Sequence, residues 1–268
     1  EMKRTAVFVA SLVVVLALCT GVYAQEITTP LAYAFKAASP LSVDGDLTEW
    51  ITRSPIVIND ISQVIRDANN WLGPDGTSCT VYVMWDEDNL YLAADVTTGS
   101  RFEVIEGLPL NRVDNFMVYI STNPELDPNR TAFDTRDFLL YLITDNNWWD
   151  TAFDRSMVEN RERFSSVGMD GGEDVLQGYE KAVQVTSRGF IYEAVIPWIN
   201  FSNNRIPVYA PKAGDVIKFD FVITDTEMAC PGTEFVPQLA WTGDSRINTN
   251  PSLWGNLMFV DSDFVPEE

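Results

Sequence analysis

The chain has 268 residues, of which 18 are basic and 39 acidic, so its formal net charge is −21. Such an acidic surface repels phosphate backbones and anionic lipids, so we expect neither nucleic acid nor a membrane surface as a partner. The sequence contains no histidine, which excludes Ser-His-Asp and Cys-His nucleophile systems as well as histidine-ligated haem.

The first 24 residues have the layout of a secretory signal peptide. Met2-Lys3-Arg4 is a short basic start, residues 6–17 are almost continuously apolar, and Val22-Tyr23-Ala24 offers small residues at the spacing a signal peptidase needs. We therefore expect cleavage after Ala24 and a secreted or periplasmic protein. A lipoprotein modified at Cys19 is the alternative, although the residue before Cys19 is not a small one.

The rest of the chain has the pattern of an all-β domain. Residues 25–40 form a mixed N-terminal lead-in, and from Leu41 onward short apolar runs with a period of two residues alternate with clusters of Asp, Asn, Gly and Pro. This pattern is typical of many strands joined by turns. The predicted strands are 80–85, 90–96, 115–120, 138–144, 182–186, 190–196, 216–224, 238–241 and 254–260.

Two pairs of these strands are predicted hairpins, with turns at 86–89 and 187–189. In the strand 216–224, Ile217, Phe219, Phe221 and Ile223 alternate with polar residues and therefore share one face. The pattern predicts a sandwich or a barrel.

The polar stretch 145–178 is better explained as a long, partly irregular insertion than as core. The best helical candidates are residues 152–164 and a short turn after Pro197-Trp198. We expect one domain over 41–263, with a C-terminal tail at 264–268.

Two cysteines remain after processing, Cys79 and Cys230. In an oxidising compartment they could form a disulfide, and two free buried thiols are the alternative. Zinc is not expected, because two cysteines without histidine cannot supply the usual four ligands.

Four segments, in this order, resemble the carbohydrate-binding module family 9 and its DOMON-like relatives. They are Val43–Trp50, then Val83–Leu92 with Asp114–Ile120, then Gly189–Trp198 with Ala213–Asp220, and finally Leu239–Trp241 with Asn250–Gly255. The resemblance implies an antiparallel β-sandwich of the jelly-roll type that binds sugars, often at chain ends, in a slot between aromatic rings. It also implies a structural calcium ion nearby.

The eight tryptophans divide into two groups by their surroundings. Five lie in strand-like or framework segments and are predicted to pack in the core: Trp50, Trp85, Trp198, Trp241 and Trp254. Trp71, Trp148 and Trp149 lie among polar residues in predicted loops, where an exposed indole can stack on the apolar face of a pyranose ring. These three are the candidate sugar-stacking residues.

The late loop 244–251 has no aromatic residue, whereas sugar-binding members of the family often carry one there. Either Trp148 or Trp149 supplies the second ring, or the fold is kept and the usual slot is lost. Arg246, Asn248 and Gln238 are the candidate polar contacts to sugar hydroxyls.

The candidate calcium ligands lie in acidic turns and at the start of a predicted strand. They are Asp44, Asp46, Asp86, Asp88 and Asp114. Calcium takes six to eight oxygen ligands, many of them from turns of this kind. The alternative is that these aspartates only cap turns.

Together these observations predict a secreted carbohydrate-binding domain for xylan, cellulose or their chain ends, with no catalysis of its own. No segment resembles a hydrolase, and among 39 acidic residues a pair at glycosidase spacing arises by chance. The main alternative is a structural or adhesive extracellular β-sandwich without sugar binding. A lesser alternative is an accessory module of a glycoside hydrolase system. The oligomeric state stays open.

Overall fold

The computed structural model describes residues 29–99, 114–123, 127–143, 177–202, 206–230 and 233–266. The expected signal peptide, the helical candidate 152–164, Trp148 and Trp149 lie outside the described residues. Within the described ranges no helix is long and apolar enough to span a membrane. The helices there are single 3₁₀ turns, so the described chain is all-β, as the sequence predicted.

Fourteen strands occur in the described part of the chain, twelve of them in one sheet. The strands are β1 Leu31–Lys36, β2 Ile56–Ile58, β3 Val64–Arg66, β4 Thr77–Trp85, β5 Asn89–Thr98, β6 Asn115–Ser121, β7 Asp137–Ile143, β8 Glu180–Val185, β9 Gly189–Pro197, β10 Val216–Thr224, β11 Glu227–Cys230, β12 Thr233–Phe235, β13 Gln238–Ala240 and β14 Gly255–Val260. The 3₁₀ turns are Leu47–Glu49, Ile61–Gln63, Ala68–Asn70, Trp198–Phe201, Ser245–Asn248 and Pro251–Leu253. The pair β11–β12 is separate.

The large sheet folds over itself into two layers. One layer contains β7, β6, β10, β13 and β3, the other contains β2, β4, β5, β9 and β8, and β14 with β1 joins them. Rings from both layers meet between them, since Phe116 of β6 lies 5.0 Å from Tyr192 of β9 and 4.9 Å from Phe221 of β10, measured between ring centroids. This is a β-sandwich with an aromatic core.

Alternation along the strands decides which side chains enter this core. In β10, Ile217, Phe219, Phe221 and Ile223 are all buried in the main cluster, as the sequence pattern predicted. The two predicted hairpins, β4–β5 and β8–β9, also form.

The sheet is mixed rather than wholly antiparallel. The lead-in contains β1, a strand that the sequence pattern did not reveal, and it runs parallel to both β14 and β4. Its partners lie about 50 and about 220 residues further along the chain, so the direction of pairing is fixed only by the folded topology. The predicted tail is also packed, because Phe264 lies 5.1 Å from Tyr33 between ring centroids.

Each layer has a second, smaller cluster on its outer face. On β1, β4 and β5 the cluster includes Phe35, Met84 and Tyr91 together with Trp50. The chain at residues 41–55, here named the opening segment, contributes Trp50 to it. On β6, β10 and β13 the cluster includes Tyr119 and Val222, and Ile247 and Trp254 pack on them. These two residues belong to 242–254, here named the covering segment.

Candidate functional site

The predicted stacking residue Trp71 lies in a surface loop, residues 66–72, that follows β3; we name it the early loop. Its indole N–H donates to the Thr77 carbonyl at 2.9 Å, and its ring packs against the main core while part of it stays exposed. Asp67 adopts a left-handed backbone with φ 51°, and its carboxylate accepts the Val236 N–H at 2.9 Å. The early loop therefore holds a partly exposed indole in a fixed orientation.

A row of four polar residues crosses the layer beside this loop; we name it the polar row. Asn115, Thr224, Gln238 and Arg66 stand opposite one another on β6, β10, β13 and β3. The amide of Gln238 donates to the Thr224 hydroxyl at 3.2 Å. The strand neighbours of Asn115, Thr224 and Gln238 point into the core, so these three side chains lie on the outer face. Arg66 joins the row through backbone pairing with Gln238, at a point where β3 and β13 shift register.

Exposure differs along the polar row. Asn115, Thr224 and Gln238 are buried, whereas Arg66 is partly exposed. Arg66 and Trp71, five residues apart in the early loop, are therefore both partly accessible to solvent. The side chains of Asn115, Thr224 and Gln238 are polar although they are buried, which is unusual for strand positions.

Below Trp71, the end of the sandwich carries a second polar group of residues. The Thr77 and Thr98 hydroxyls both donate to the Asp225 carboxylate, and Asp114 accepts the Thr226 N–H at 2.6 Å. Because Thr77 also accepts from the Trp71 indole, this network connects β10 to the base of the early loop.

The late loop does not come to the same place. Arg246 is exposed and donates to the Asp244 carboxylate at 2.9 and 2.6 Å, which holds the pKa of that carboxyl below its usual range. Asn248 accepts a hydrogen bond from the Tyr119 hydroxyl. In the register Tyr119 is opposite Asp220, four residues along each strand from the polar row. Of the predicted polar contacts, the structure brings only Gln238 to the Trp71 end.

The predicted calcium ligands are spread over three separate places. Asp46 caps the turn Leu47–Glu49, and the main-chain N–H of Asp44 donates to Glu193. Asp86 accepts from the N–H of Asp88 and from the Tyr91 hydroxyl. Within the described ranges no three acidic or thiol side chains are grouped to hold a metal ion. The described geometry fits the capping alternative, and calcium stays a prediction.

The cysteine prediction also stays open. Cys79 is a buried free thiol in the main core, and burial raises its pKa well above the usual value. The structure therefore contains no disulfide at Cys79, and the side chain of Cys230 lies outside the described part.

Two ionisable groups on the outer face of β10 have strongly shifted pKa values. Burial raises the pKa of Asp220 to about 7, although hydrogen bonds from Thr242 act in the opposite direction. Burial lowers the pKa of Lys218 to about 8. Both residues are contacted by the covering segment, through Thr242 and the Trp254 carbonyl respectively.

The sequence analysis missed Arg66 and Asn115 as members of the site. The signal for Thr224 was present, because alternation placed it on the polar face of its strand. Arg66 gave no signal, because β3 is a three-residue strand that pairs with β13 from a distant part of the chain.

The comparisons with known proteins agree with this architecture. The model of a family described as "Carbohydrate family 9 binding domain-like" matches residues 43–262. The chain belongs to this family. The resemblance of the four sequence segments to family 9 is thereby confirmed, and the relation to DOMON-like proteins stays a prediction.

Two curated relatives contain a stretch similar to this family 9 domain. Endo-1,4-beta-xylanase A of Thermoanaerobacterium saccharolyticum is 24% identical over 226 residues, which cover 82% of this chain and 16% of the xylanase. Exoglucanase XynX of Acetivibrio thermocellus is 26% identical over 226 residues, which cover 82% of this chain and 18% of the exoglucanase. The chain thus spans less than a fifth of either relative.

Two solved structures share the fold. Both are family 9 carbohydrate-binding modules from Caldicellulosiruptor kristjanssonii, one in complex with cellotriose and one with glucose. The TM-scores are 0.58 and 0.57 at 16% and 17% identity, and the alignments cover 89% and 88% of this chain and 99% and 100% of those chains. At this identity the likeness shows a common β-sandwich.

Proposed function

We propose that this family 9 domain binds neutral plant-type glycans, xylan, cellulose or their chain ends, at the early loop. The observation that carries the proposal is the position of a partly exposed, hydrogen-bond-anchored Trp71 at the same end of the layer as Arg66 and the polar row. A pyranose ring has an apolar C–H face that packs on an indole and a rim of hydroxyls that needs donors and acceptors.

The net charge of −21 supports a neutral rather than an anionic glycan. The two solved relatives contain cellotriose and glucose, which are neutral sugars of this kind. The proposal includes Trp148 and Trp149 as candidates for a second stacking ring. They follow within six residues of Ile143, where β7 ends opposite Asn115.

The domain is proposed to dock onto the glycan without cleaving it. The family is described as a binding domain, and both curated relatives are glycan-degrading enzymes by name. We therefore propose a role beside glycoside hydrolases, after export through the signal peptide 1–24. A structural calcium ion remains part of the proposal as a separate, testable addition.

One observation favours a second candidate, a structural or adhesive sandwich that binds no free sugar. The polar side chains of the late loop are engaged within their own chain, Arg246 with Asp244 and Asn248 with Tyr119. An adhesive domain of this kind would self-associate in the presence of calcium, whereas a glycan-binding domain would not need to.

A pull-down of residues 25–268 on insoluble xylan and cellulose, with soluble oligosaccharides as competitors, separates the two candidates. We expect saturable binding that a soluble oligosaccharide displaces, measured with calcium and with a chelator. A folded protein that binds no glycan in either condition contradicts the proposal. Sedimentation in the two conditions then tests the adhesive alternative directly.

A further inference from the structure

The covering segment is fastened at both ends by two buried, ionisable residues of one strand. At its start, Thr242 donates its hydroxyl to Asp220. At its end, the Trp254 carbonyl accepts from the Lys218 ammonium at 2.9 Å. Asp220 and Lys218 are two residues apart on β10 and therefore lie on the same face of the sheet.

Between these two ends the segment closes over the outer cluster. Ile247 and Trp254 have no exposed surface and pack on Tyr119 and Val222. Tyr119 also donates to Asn248, and its register partner is Asp220. The covering segment therefore opens from the sheet face or closes on it as one unit. In the closed form Asp220 is enclosed between them.

We propose that the covering segment opens from the sheet in a pH-dependent manner, and that ionisation of Asp220 beneath Thr242 favours the open form. A carboxylate in a closed, apolar contact loses its hydration when it is charged. Lifting the segment returns water to the carboxylate and removes that cost. The proposal concerns the chain itself and does not depend on sugar binding.

The direction follows from proton linkage. Burial gives Asp220 a pKa of about 7 in the closed form, and water in the open form restores a value near the ordinary one, about 4. Between these values the closed form binds more protons, so raising the pH favours opening until about pH 7. Lys218 has a pKa of about 8 when closed and an ordinary value near 10 when hydrated, so above about pH 8 a rising pH favours closure again.

The other charged groups near Asp220 have smaller effects than burial. Lys218 is its neighbour on β10, and Tyr119 faces it from β6. From the loop before β7, Arg130 pairs with Asp137 and lowers the pKa of Lys218. On the segment itself the charged residues are Asp244 and Arg246, which neutralise each other.

Hydrogen exchange of the ligand-free protein, followed by mass spectrometry on peptides from 242–254 and corrected for the intrinsic pH dependence, tests the proposal. If opening hydrates Asp220 fully, the opening equilibrium rises up to roughly 50-fold between about pH 5 and about pH 7. The variant Asp220→Asn is uncharged at every pH and is expected to give no such rise. Thr242→Val removes a hydrogen bond that lowers the Asp220 pKa, so it is expected to move the rise to higher pH.

Glu193→Gln is the matched control. Glu193 is also fully buried on an outer face, where it accepts from the Trp50 indole at 2.7 Å and from the N–H groups of Asp44 and Gly45. This variant is expected to change exchange in the opening segment and to leave the pH dependence of 242–254 as in the wild type. A wild-type segment whose protection does not vary with pH, or a rise that persists in Asp220→Asn, overturns the proposal.

Discussion

The early loop and the late loop were both predicted to contact sugar, and the structure uses them in different ways. In the early loop, Trp71 and Arg66 are partly exposed. The indole N–H of Trp71 is bound by the Thr77 carbonyl, and the backbone of Arg66 pairs with Gln238. The late loop has no aromatic residue, its Arg246 is bound to Asp244, and its Asn248 is bound to Tyr119. The early loop exposes part of an indole ring, whereas the late loop is attached to the sheet through Asn248.

The difference shows that polar composition alone does not identify a binding loop. Arg246 and Asn248 have suitable side chains for sugar hydroxyls, but their donors and acceptors are engaged within the loop or with the sheet. Trp71 is oriented by its N–H bond to Thr77 and by packing of its ring on the main core, and part of the ring stays accessible. We therefore expect damage to the early loop to appear in affinity and damage to the covering segment to appear in stability.

The largest expected effect is on the covering segment. Gly255 follows this segment, and a Cβ placed on it would lie 2.2 Å from the Trp241 ring. In Gly255→Ala the added methyl group displaces the Trp241 ring. Overpacking of this kind lowers the free energy of unfolding by roughly 2–3 kcal/mol. Urea denaturation measures the loss. An unchanged midpoint would show that Trp241 moves freely and that this end of the segment is not tightly built.

The next effect concerns the exposed end of the polar row. Arg66→Ala removes the charged side chain of the residue that pairs with Gln238. A charge-assisted hydrogen bond to a sugar hydroxyl contributes about 1.5 kcal/mol, so we expect roughly tenfold weaker glycan binding in a titration. Lys212→Ala also removes one positive charge, at an exposed turn before β10 and so at the end of that strand opposite Thr224; it is the control and should bind like the wild type. Equal losses in the two variants would point to overall charge rather than to a contact.

The smallest effect is expected in the late loop. Arg246 is exposed and paired with Asp244 two residues away. Surface pairs of this kind contribute little, so Arg246→Ala should change glycan affinity by less than about twofold. A tenfold loss would instead place the late loop in the binding site and remove the contrast between the two loops.

Much of the sandwich could be predicted because its information is local. Alternation along β10 gives the buried face, and the turns at 86–89 and 187–189 give two hairpins. The strands β1, β2 and β3 were not predicted. Two of them have only three residues, and all three are defined by partners far away in the sequence.

The candidate site was predictable only in part for the same reason. Trp71 stands out in the sequence as an indole among loop residues, and Gln238 lies in a recognisable strand. The polar row is formed by the pairing of β3, β13, β10 and β6. Alternation within a single strand does not reveal which strands pair. Conversely, the engagement of Arg246 and Asn248 appears only when their partners are placed.

The most direct test of the account is a calorimetric titration of the wild type and Trp71→Ala with a soluble xylo- or cello-oligosaccharide. Loss of a stacked indole is expected to cost about 2 kcal/mol, or roughly 30-fold in Kd, with Trp71→Phe between the two. Thermal unfolding of each variant confirms that the proteins compared are folded. A folded Trp71→Ala that binds as tightly as the wild type would contradict the assignment of the early loop as the glycan-binding site.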